Sequence, residues 1–351
     1  MSFAQKAIVQ ETVARQAPLD HLLTVRGLRL HAKAASYEEI ALPIEERPLR
    51  PLADHEVVVE IQAAAVNPSD AKAATGLMPY AVFPRTPGRD FAGKIVAGPE
   101  ALIGKSVFGS SGDLGIRQDG SHASHLIVEA EAVVAVPAGV TMQEAAGIGV
   151  PFVTAWEGLR RAGLPKAGET VLILGVNGKV GQAAAQIASW RGAKVIGVVR
   201  REEPYAGHAS TPVEIISASG TDVPARVREL TAGKGADIVF NTVGDPFYEI
   251  GQKSMAVGGR AIFIAVIDRF VTFDILAFYK GRHTYVGIDT IALSSVETGA
   301  ILRDLAPGFT DGFLKPFPIK QSAIYPLADA HAAYQAVMGS SRDRVVLVPG
   351  A

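Results

Sequence analysis

Thr170–Gly192 reads TVLILGVNGKVGQAAAQIASWRG. Its first five residues, Thr170 to Leu174, form the short apolar run of a buried strand. A loop with three glycines follows: Gly175, Gly178 and Gly181. Beyond it, Val180, Ala183, Ala184, Ile187 and Ala188 recur on one face at helical spacing, and Gly192 stands where a helix C-cap is expected. Glycines let a backbone approach a pyrophosphate closely, and a helix N-terminus offers free N–H groups and the positive end of a dipole. Strand, glycine loop and helix in this order predict a dinucleotide site. The competing reading is an α/β crossover whose loop is idle.

Outward from this stretch, strands and helices alternate. Lys194–Val199 reads as a second strand, ending at Arg200-Arg201, and Val213–Ile216 as a third. Val223–Leu230 is helical, and Ala236–Asn241 is a fourth strand that runs into Thr242-Val243-Gly244. Ala261–Val266 is a fifth, after Gly258-Gly259, and Thr284–Ile288 a sixth. The pattern predicts a doubly wound parallel sheet. An amphipathic stretch (Val296–Leu305), a helix (Ala328–Met338) and a last strand (Val345–Val348) follow. That strand has no place in the parallel sheet and is expected to return to the first domain.

Before Thr170 the texture differs. Ala7–Val9 opens a strand; Leu22–Leu30 and Ala34–Ile44 read as strands or irregular chain; Val57–Ile61 (VVVEI) is a clearer strand. Val107–Gly112, Ala123–Val128 and Ala132–Pro137 are short strands among glycines and turns. Many short strands with little helix predict an irregular β-barrel. Helices are expected at Thr141–Gly149 and Thr154–Ala162.

The 351 residues suit about two domains. With 48% hydrophobic residues the chain can fill ordinary cores, and 34 basic against 35 acidic residues argue against a nucleic-acid or anionic-membrane binder. There is no cysteine, which rules out disulfides, thiolate catalysis and cysteine-ligated zinc. No apolar run reaches a membrane span, and MSFAQKAIVQ lacks a signal-peptide core, so a cytoplasmic protein is expected.

From Val57 to Val348 the chain resembles the medium-chain dehydrogenase/reductase superfamily, in its zinc-free quinone oxidoreductase (zeta-crystallin-like) branch. The resemblance is carried by VNPSD (Val66–Asp70), TPGRDFAG (Thr86–Gly93), the glycine loop, NTVG (Asn241–Gly244) and SSRDRVVLV (Ser340–Val348). The first 50 residues fit it poorly. It implies an α/β protein: a GroES-like catalytic barrel, residues 1–152 and 289–351, and a Rossmann domain, 153–288, that binds NADPH.

Zinc alcohol dehydrogenases of this superfamily hold a catalytic metal with Cys, then His-Glu, then Cys. Here those positions match Asn67, Arg89-Asp90 and Val150, four residues before Thr154. A guanidinium would oppose a cation, so no metal is expected. His122 and His125 lie in SHASHLIVEA, where residues three apart on a strand face opposite sides.

By resemblance, Asn67 lies near the nicotinamide and its ribose. Thr154, Gly175, Gly178, Lys179 and Val180 belong to the cofactor site. Val243, Gly244, Ala265, Val266 and Ile288 line the nicotinamide pocket, and Arg344 reaches the cofactor from the tail. Lys179, where a glycine is common, either contacts phosphate or points to solvent. Asp70 and Asp90 are read as structural. Tyr80 is either a proton donor or a phenol packed on its loop. An NAD site usually ends its second strand near an acidic residue; Arg200 and Arg201 predict NADPH instead.

The expected function is NADPH-dependent reduction of a quinone or α,β-unsaturated carbonyl without zinc. Two alternatives stand beside it: an enoyl-thioester reductase, and a non-catalytic NADPH-binding crystallin-like protein. The apolar edge strand Thr284–Ile288 points to a homodimer.

Overall fold

A computed structural model describes residues 24–78, 80–110, 112–339 and 341–350. Ala7–Val9 lies outside them. An antiparallel hairpin, β1 (Thr24–Leu28) and β2 (Ile44–Pro48), precedes the barrel. The long strand β3 (Glu56–Ala65) is followed by a short helix, α1 (Pro68–Ala74). The barrel continues with β4 (Asp90–Ala97), β5 (Ser106–Ser110), β6 (His125–Glu129) and β7 (Val134–Ala135). Along β3, Val57, Val59 and Ile61 alternate into the barrel core with Phe91, Ile95, Val107 and Leu126, while Ala63 faces the main core outside it.

Helix α2 (Met142–Arg161) leads out of the barrel. Thr141 and Glu144 form a capping box at its start, each side chain accepting the other's backbone N–H. Two helices were expected here; the structure has one, running through Pro151. A proline inside a helix leaves the carbonyl four residues back without its donor. That carbonyl, Gly147 O, accepts from Arg344 Nε at 3.0 Å. Next to it, Val150 N donates to Asp90 Oδ1 at 2.9 Å. An ion pair from elsewhere in the chain therefore bridges the weak turn, which local sequence cannot reveal.

The glycine-loop strand is β8 (Thr170–Leu174), followed by α3 (Lys179–Trp190), β9 (Lys194–Val199), β10 (Val213–Ser217) and α4 (Val223–Leu230). Then come β11 (Ala236–Asn241), α5 (Tyr248–Ser254), β12 (Met255–Phe263), α6 (Ile275–Gly281) and β13 (Thr284–Gly287). The six strands lie parallel in the order β10-β9-β8-β11-β12-β13, so the chain reverses direction across the sheet between β8 and β11. Both faces are covered, as a parallel sheet requires. Val171 and Ile173 pack with Phe152, Trp156 and Ile187 on one side; Leu172 and Leu174 pack with Ile196, Val223 and Val227 on the other. In this sheet β12 departs furthest from its expected span. β12 begins at Met255 rather than Ala261 and ends at Phe263 rather than Val266. Its pairing with β11 slips between Met255 and Arg260, where Gly258 takes φ +78°. The strand absorbs the glycine pair as an irregularity instead of starting after it.

After α7 (Ser295–Thr310), the tail supplies β14 (Ile324–Pro326), α8 (Ala330–Met338) and β15 (Val346–Val348). β15 runs antiparallel to β3, with Val346 opposite Ala65 and Leu347 opposite Ala64. Tyr334 and Leu347 share a core with Leu28, Leu30 and Val66. The Tyr334 hydroxyl lies 3.0 Å from His122 Nδ1, and His122 Nε2 lies 3.3 Å from Ala65 O. β6 starts only at His125, whose ring lies 3.0 Å from Ser124 Oγ, so the expected single strand through both histidines is not formed: His122 lies before it, and its separation from His125 is not one of strand faces.

Burial pushes the His122 imidazole down to about 4 from its ordinary 6.5. A depressed value in the folded state means the unfolded chain takes up the proton first. The stability this neutral ring supports is complete above pH ~6.5 and is lost as pH falls toward about 4, up to about 3 kcal/mol. Urea unfolding at intervals between these values should show the native protein losing that much relative to His122→Gln. Parallel profiles for the two proteins would refute it.

Candidate active site

The reversal of strand order leaves a crevice beyond the C-terminal ends of β8 and β11. Gly175 takes φ +81° there, and a Cβ would stand 2.6 Å from Thr242 Oγ1. At Gly181 a Cβ would stand 2.4 Å from Gly175 O, so helix and loop touch only because Gly181 lacks a side chain. Gly178 is the N-cap of α3 and offers no side-chain acceptor, and the first turn carries no acidic residue. The open N–H groups and the dipole suit an anion. A dinucleotide pyrophosphate fits this cradle. Asn177 fixes the loop further, donating to Pro204 O at 3.0 Å and accepting from Ala206 N at 2.9 Å. Val180 follows, half-buried against the main core.

Lys179 is half-buried, and its Nζ lies 5.1 Å from the centre of the Phe317 ring. It therefore faces the tail rather than open solvent. Burial first, then the Arg344 charge, bring its ammonium down to about 8.

At the end of β11, Asn241 shapes the next loop. Its Oδ1 accepts from Val243 N and Gly244 N at 3.0 and 2.9 Å, and its Nδ2 donates to Gly244 O. Gly244 takes φ +109°, and a Cβ there would lie 3.1 Å from Ala265 O and 3.2 Å from Val266 Cα. The structure thus brings Val243, Gly244, Ala265 and Val266 together. Ile288, just past β13, lies at the neighbouring strand end and packs on the main core. Beyond β9 and β10 opens a groove of about 910 Å³, lined by Arg201, Glu202, Glu203, Ser217 and Thr221 among others. Arg200 is exposed beside it. Glu203 forms an ion pair with Arg342 of the tail.

On the barrel side, one buried network organises the wall. Asp90 Oδ2 accepts from Asn67 Nδ2 at 2.9 Å and from Arg344 Nη2 at 2.8 Å. Arg344 Nη1 donates to Asn67 Oδ1 at 2.9 Å and to Val66 O at 3.0 Å. Asn67, Asp90 and Arg344 are all buried. Both polar ends of the Asn67 amide are thus engaged, and the Arg344 guanidinium is held within the wall. Thr154 is buried one helical turn beyond Val150, on the same face of α2. Asp70 caps α1, accepting from Asn67 N at 2.8 Å. Burial pushes its carboxyl up to about 7, against the pull of that N–H and of Arg89.

Tyr80 is half-buried beside Ala73, Ile116 and Ile291, with the Arg117 guanidinium 5.2 Å from its ring centre. Burial, then the Asp289 carboxylate, raise its phenol, while Arg117 and Arg89 oppose them. Arg89 is the residue that sequence reasoning undervalued: read only as an obstacle to a cation, it is a buried guanidinium whose Nη1 donates to Ser69 Oγ at 3.2 Å.

These positions do not fit zinc. Val150 offers only a backbone N–H, which is given to Asp90; the Asn67 amide is held between Asp90 and Arg344. Among the described residues no group of three or more His, Asp or Glu could surround an ion, and no helix is long and apolar enough to cross a membrane.

Two family models match the chain: an alcohol dehydrogenase GroES-like domain over residues 53–138 and a zinc-binding dehydrogenase domain over 180–302. A zinc-type alcohol dehydrogenase-like protein of Schizosaccharomyces pombe is 35% identical over 281 residues, 79% of this chain and 82% of the relative. The quinone oxidoreductase of Homo sapiens is 28% identical over 84% of this chain and 87% of its own. The crystal structure of an alcohol dehydrogenase superfamily protein from Novosphingobium aromaticivorans superposes with a TM-score of 0.77 at 28% identity, covering 92% of this chain and 99% of that one. The chain belongs to the medium-chain dehydrogenase/reductase superfamily, in its quinone oxidoreductase-like branch. It is an oxidoreductase of the nicotinamide-dependent kind.

Removing one partner of a buried ion pair typically costs about 3–5 kcal/mol, because the other charge is left in the interior. Asp90→Ala should lose roughly that much in urea unfolding. Asp90→Ala with Arg344→Met should lose clearly less than the sum of the two single changes. Additive losses would show that the two groups are not coupled.

Proposed function

We propose that this enzyme uses NADPH to reduce a quinone or an α,β-unsaturated carbonyl without zinc. The observation that carries the reading is the Asn67–Asp90–Arg344 network, which fills with hydrogen bonds the positions that hold a Lewis acid in the zinc relatives. Stabilising an alkoxide-like oxygen as hydride leaves is demanding without a metal. Reducing a conjugated acceptor is less so, because charge spreads onto an oxygen that hydrogen bonds can hold.

When bound, NADPH supplies the hydride. The open N-terminus of α3, at Gly178, Lys179 and Val180, takes the pyrophosphate. Gly175 and Gly181 keep the loop close enough for that contact. Thr154, Val243, Gly244, Ala265, Val266 and Ile288 orient the nicotinamide, and Asn67, braced by Asp90 and Arg344, forms the wall opposite. Tyr80 shields the acceptor end as a loop residue or donates a proton there. The cleft lies between the barrel unit, 1–152 with 289–351, and the dinucleotide unit, 153–288. Arg201, with Arg200 beside it, takes the 2′-phosphate. The pairing of Glu203 with Arg342 supports this, since it offsets one of the two carboxylates next to the arginines.

Turnover with NADPH and a simple enone or quinone should be fast, and oxidation of primary or secondary alcohols with NADP⁺ slow. The reverse pattern would overturn the reading. Tight NADPH binding without turnover of either class would favour a non-catalytic binding protein.

Charge-assisted bonds to a phosphate contribute ~1.5–3 kcal/mol each. Arg201→Ala should therefore weaken NADPH roughly 10- to 150-fold and leave NADH nearly unchanged in fluorescence titrations. Equal losses for both would remove the 2′-phosphate assignment.

We also propose a homodimer joined along β13. That strand ends the parallel sheet, and Phe270, Ile275, Leu276 and Tyr279, from the segment leading to it, are exposed apolar residues. Light scattering at micromolar concentration should give twice the chain mass; a monomer would contradict the proposal.

A further inference from the structure

A second cleft, of about 470 Å³, opens where four pieces of chain meet. They are the turn at 138–140 ahead of α2, the face of α3 that carries Gln182 and Gln186, the loop at 206–208 after β9, and the tail segment 315–318. None of its lining residues belongs to the cofactor site described above. Its walls are fixed by hydrogen bonds between those pieces. Gln186 takes both backbone groups of Lys315: its Oε1 accepts from Lys315 N at 2.7 Å and its Nε2 donates to Lys315 O at 3.2 Å. Ser210 N donates to Ser189 Oγ at 3.0 Å, and Ser210 Oγ donates to Phe313 O at 3.3 Å. Loop and tail are therefore tied to α3 and to each other, and the cleft between them is a built feature of the fold. Its size suits a small molecule, and such sites combine an apolar lining with a few placed polar groups. Val140, Pro316, Phe317 and Pro318 give the apolar part. Lys315 and His208 give the polar part. The Lys315 ammonium forms no ion pair among the described residues. His208 Nε2 is enclosed and has no hydrogen-bond partner among them. Leaving such an atom unmet costs free energy that a ligand acceptor returns. Burial first, then the Lys315 charge, hold the His208 imidazole below its ordinary value, so the ring is neutral at pH 7 with one N–H to give. Glu144 is the one acid among the lining residues, and its Oε2 is engaged at the cap of α2 by Thr141 N and Oγ1. The cleft thus offers a cation and a donor beside an apolar wall, with its carboxylate already occupied.

We propose that this cleft is a second small-molecule site and that its ligand is an amphipathic monocarboxylate. The carboxylate accepts a hydrogen bond from His208 Nε2 and pairs with the Lys315 ammonium. The aliphatic or aromatic body lies along Val140, Pro316 and Pro318. A carboxylate on the imidazole selects the tautomer that carries its proton on Nε2. The site is independent of the reductase reading, since none of its groups takes part in hydride transfer.

The test titrates the full chain at pH 7.5 with 4-phenylbutyrate in a calorimeter, in the presence of excess NADP⁺ so that the dinucleotide crevice is filled. One molecule should bind per chain, with a Kd below about 1 mM. 4-Phenylbutanol has the same body without the charge, and should bind roughly tenfold more weakly, as loss of a charge-assisted hydrogen bond implies. Lys315→Met and His208→Leu should each weaken the carboxylate about three- to tenfold and leave the alcohol nearly unchanged. Lys315→Glu should remove measurable binding of the carboxylate, and Lys315→Arg should keep it. A wild-type circular dichroism spectrum shows that each variant is folded. No saturable binding with NADP⁺ present, equal binding of the carboxylate and the alcohol, or wild-type affinity in Lys315→Glu would overturn the proposal. Should His208→Leu fail to fold, the exposed Lys315 decides alone. If the carboxylate binds as described while no enone or quinone is reduced, the reductase reading falls and the second site stands.

Discussion

The fold depends on one buried ion pair. Asp90 and Arg344 are separated by 254 positions in sequence, yet their side chains meet at 2.8 Å in the interior. The pair joins four pieces of chain: the start of β4, the turn before α1, the proline-weakened turn of α2, and the tail before β15. Each piece has unsatisfied polar groups of its own, and each is satisfied by another piece. A network of this sort is highly sensitive to partial loss, because a single deletion leaves a charge or a carbonyl stranded away from water. That coupling gives this end of the barrel a fixed shape.

The same network explains how this chain differs from its zinc relatives. A metal site needs ligand atoms that converge on an empty centre. Here the corresponding atoms converge on one another. Asn67 and Asp90 are hydrogen-bonded together, Val150 presents only its backbone, and Arg89 brings a charge of the wrong sign for a cation. The barrel and the parallel sheet are otherwise those of the superfamily, so the difference from a metal site is confined to a few side chains at one end of the barrel.

The parallel sheet was legible because its evidence is local. An apolar run, a glycine loop and a helical stripe each lie within a few residues, and Thr170–Gly192 contains all three. Thr284–Ile288 was readable as an edge strand for the same reason. The continuity of α2 was not: Pro151 argues for a break, and the donor that mends it comes from Arg344. Nor could the start of β12 be read, since its irregular pairing at Gly258 exists only opposite β11. At the site, the resemblance assigned the glycine loop and the NTVG turn to one cofactor site, and the sheet places them at the ends of adjacent strands. It gave no hint that Asn67 has both polar atoms engaged, or that Lys179 lies over Phe317. Those are facts about distant partners, which pattern and spacing do not encode.

The position of β15 has a bearing on the order in which the molecule is built. All six strands of the parallel sheet are encoded by Gly287, and successive strands there are joined by short local crossovers. The barrel is different: β3 pairs early with β4 and β6, but its end at Ala64–Ala65 is completed only by a strand that begins at Val346. Long-range pairings of this kind form late, because the intervening chain has to be ordered first. As the chain leaves the ribosome, the parallel sheet with its glycine loop is therefore complete well before the Asn67–Asp90–Arg344 network. The glycine loop and the N-terminus of α3 can take up their places on a chain that still lacks Arg344, whereas Asn67 and Asp90 stay without their guanidinium until the tail arrives.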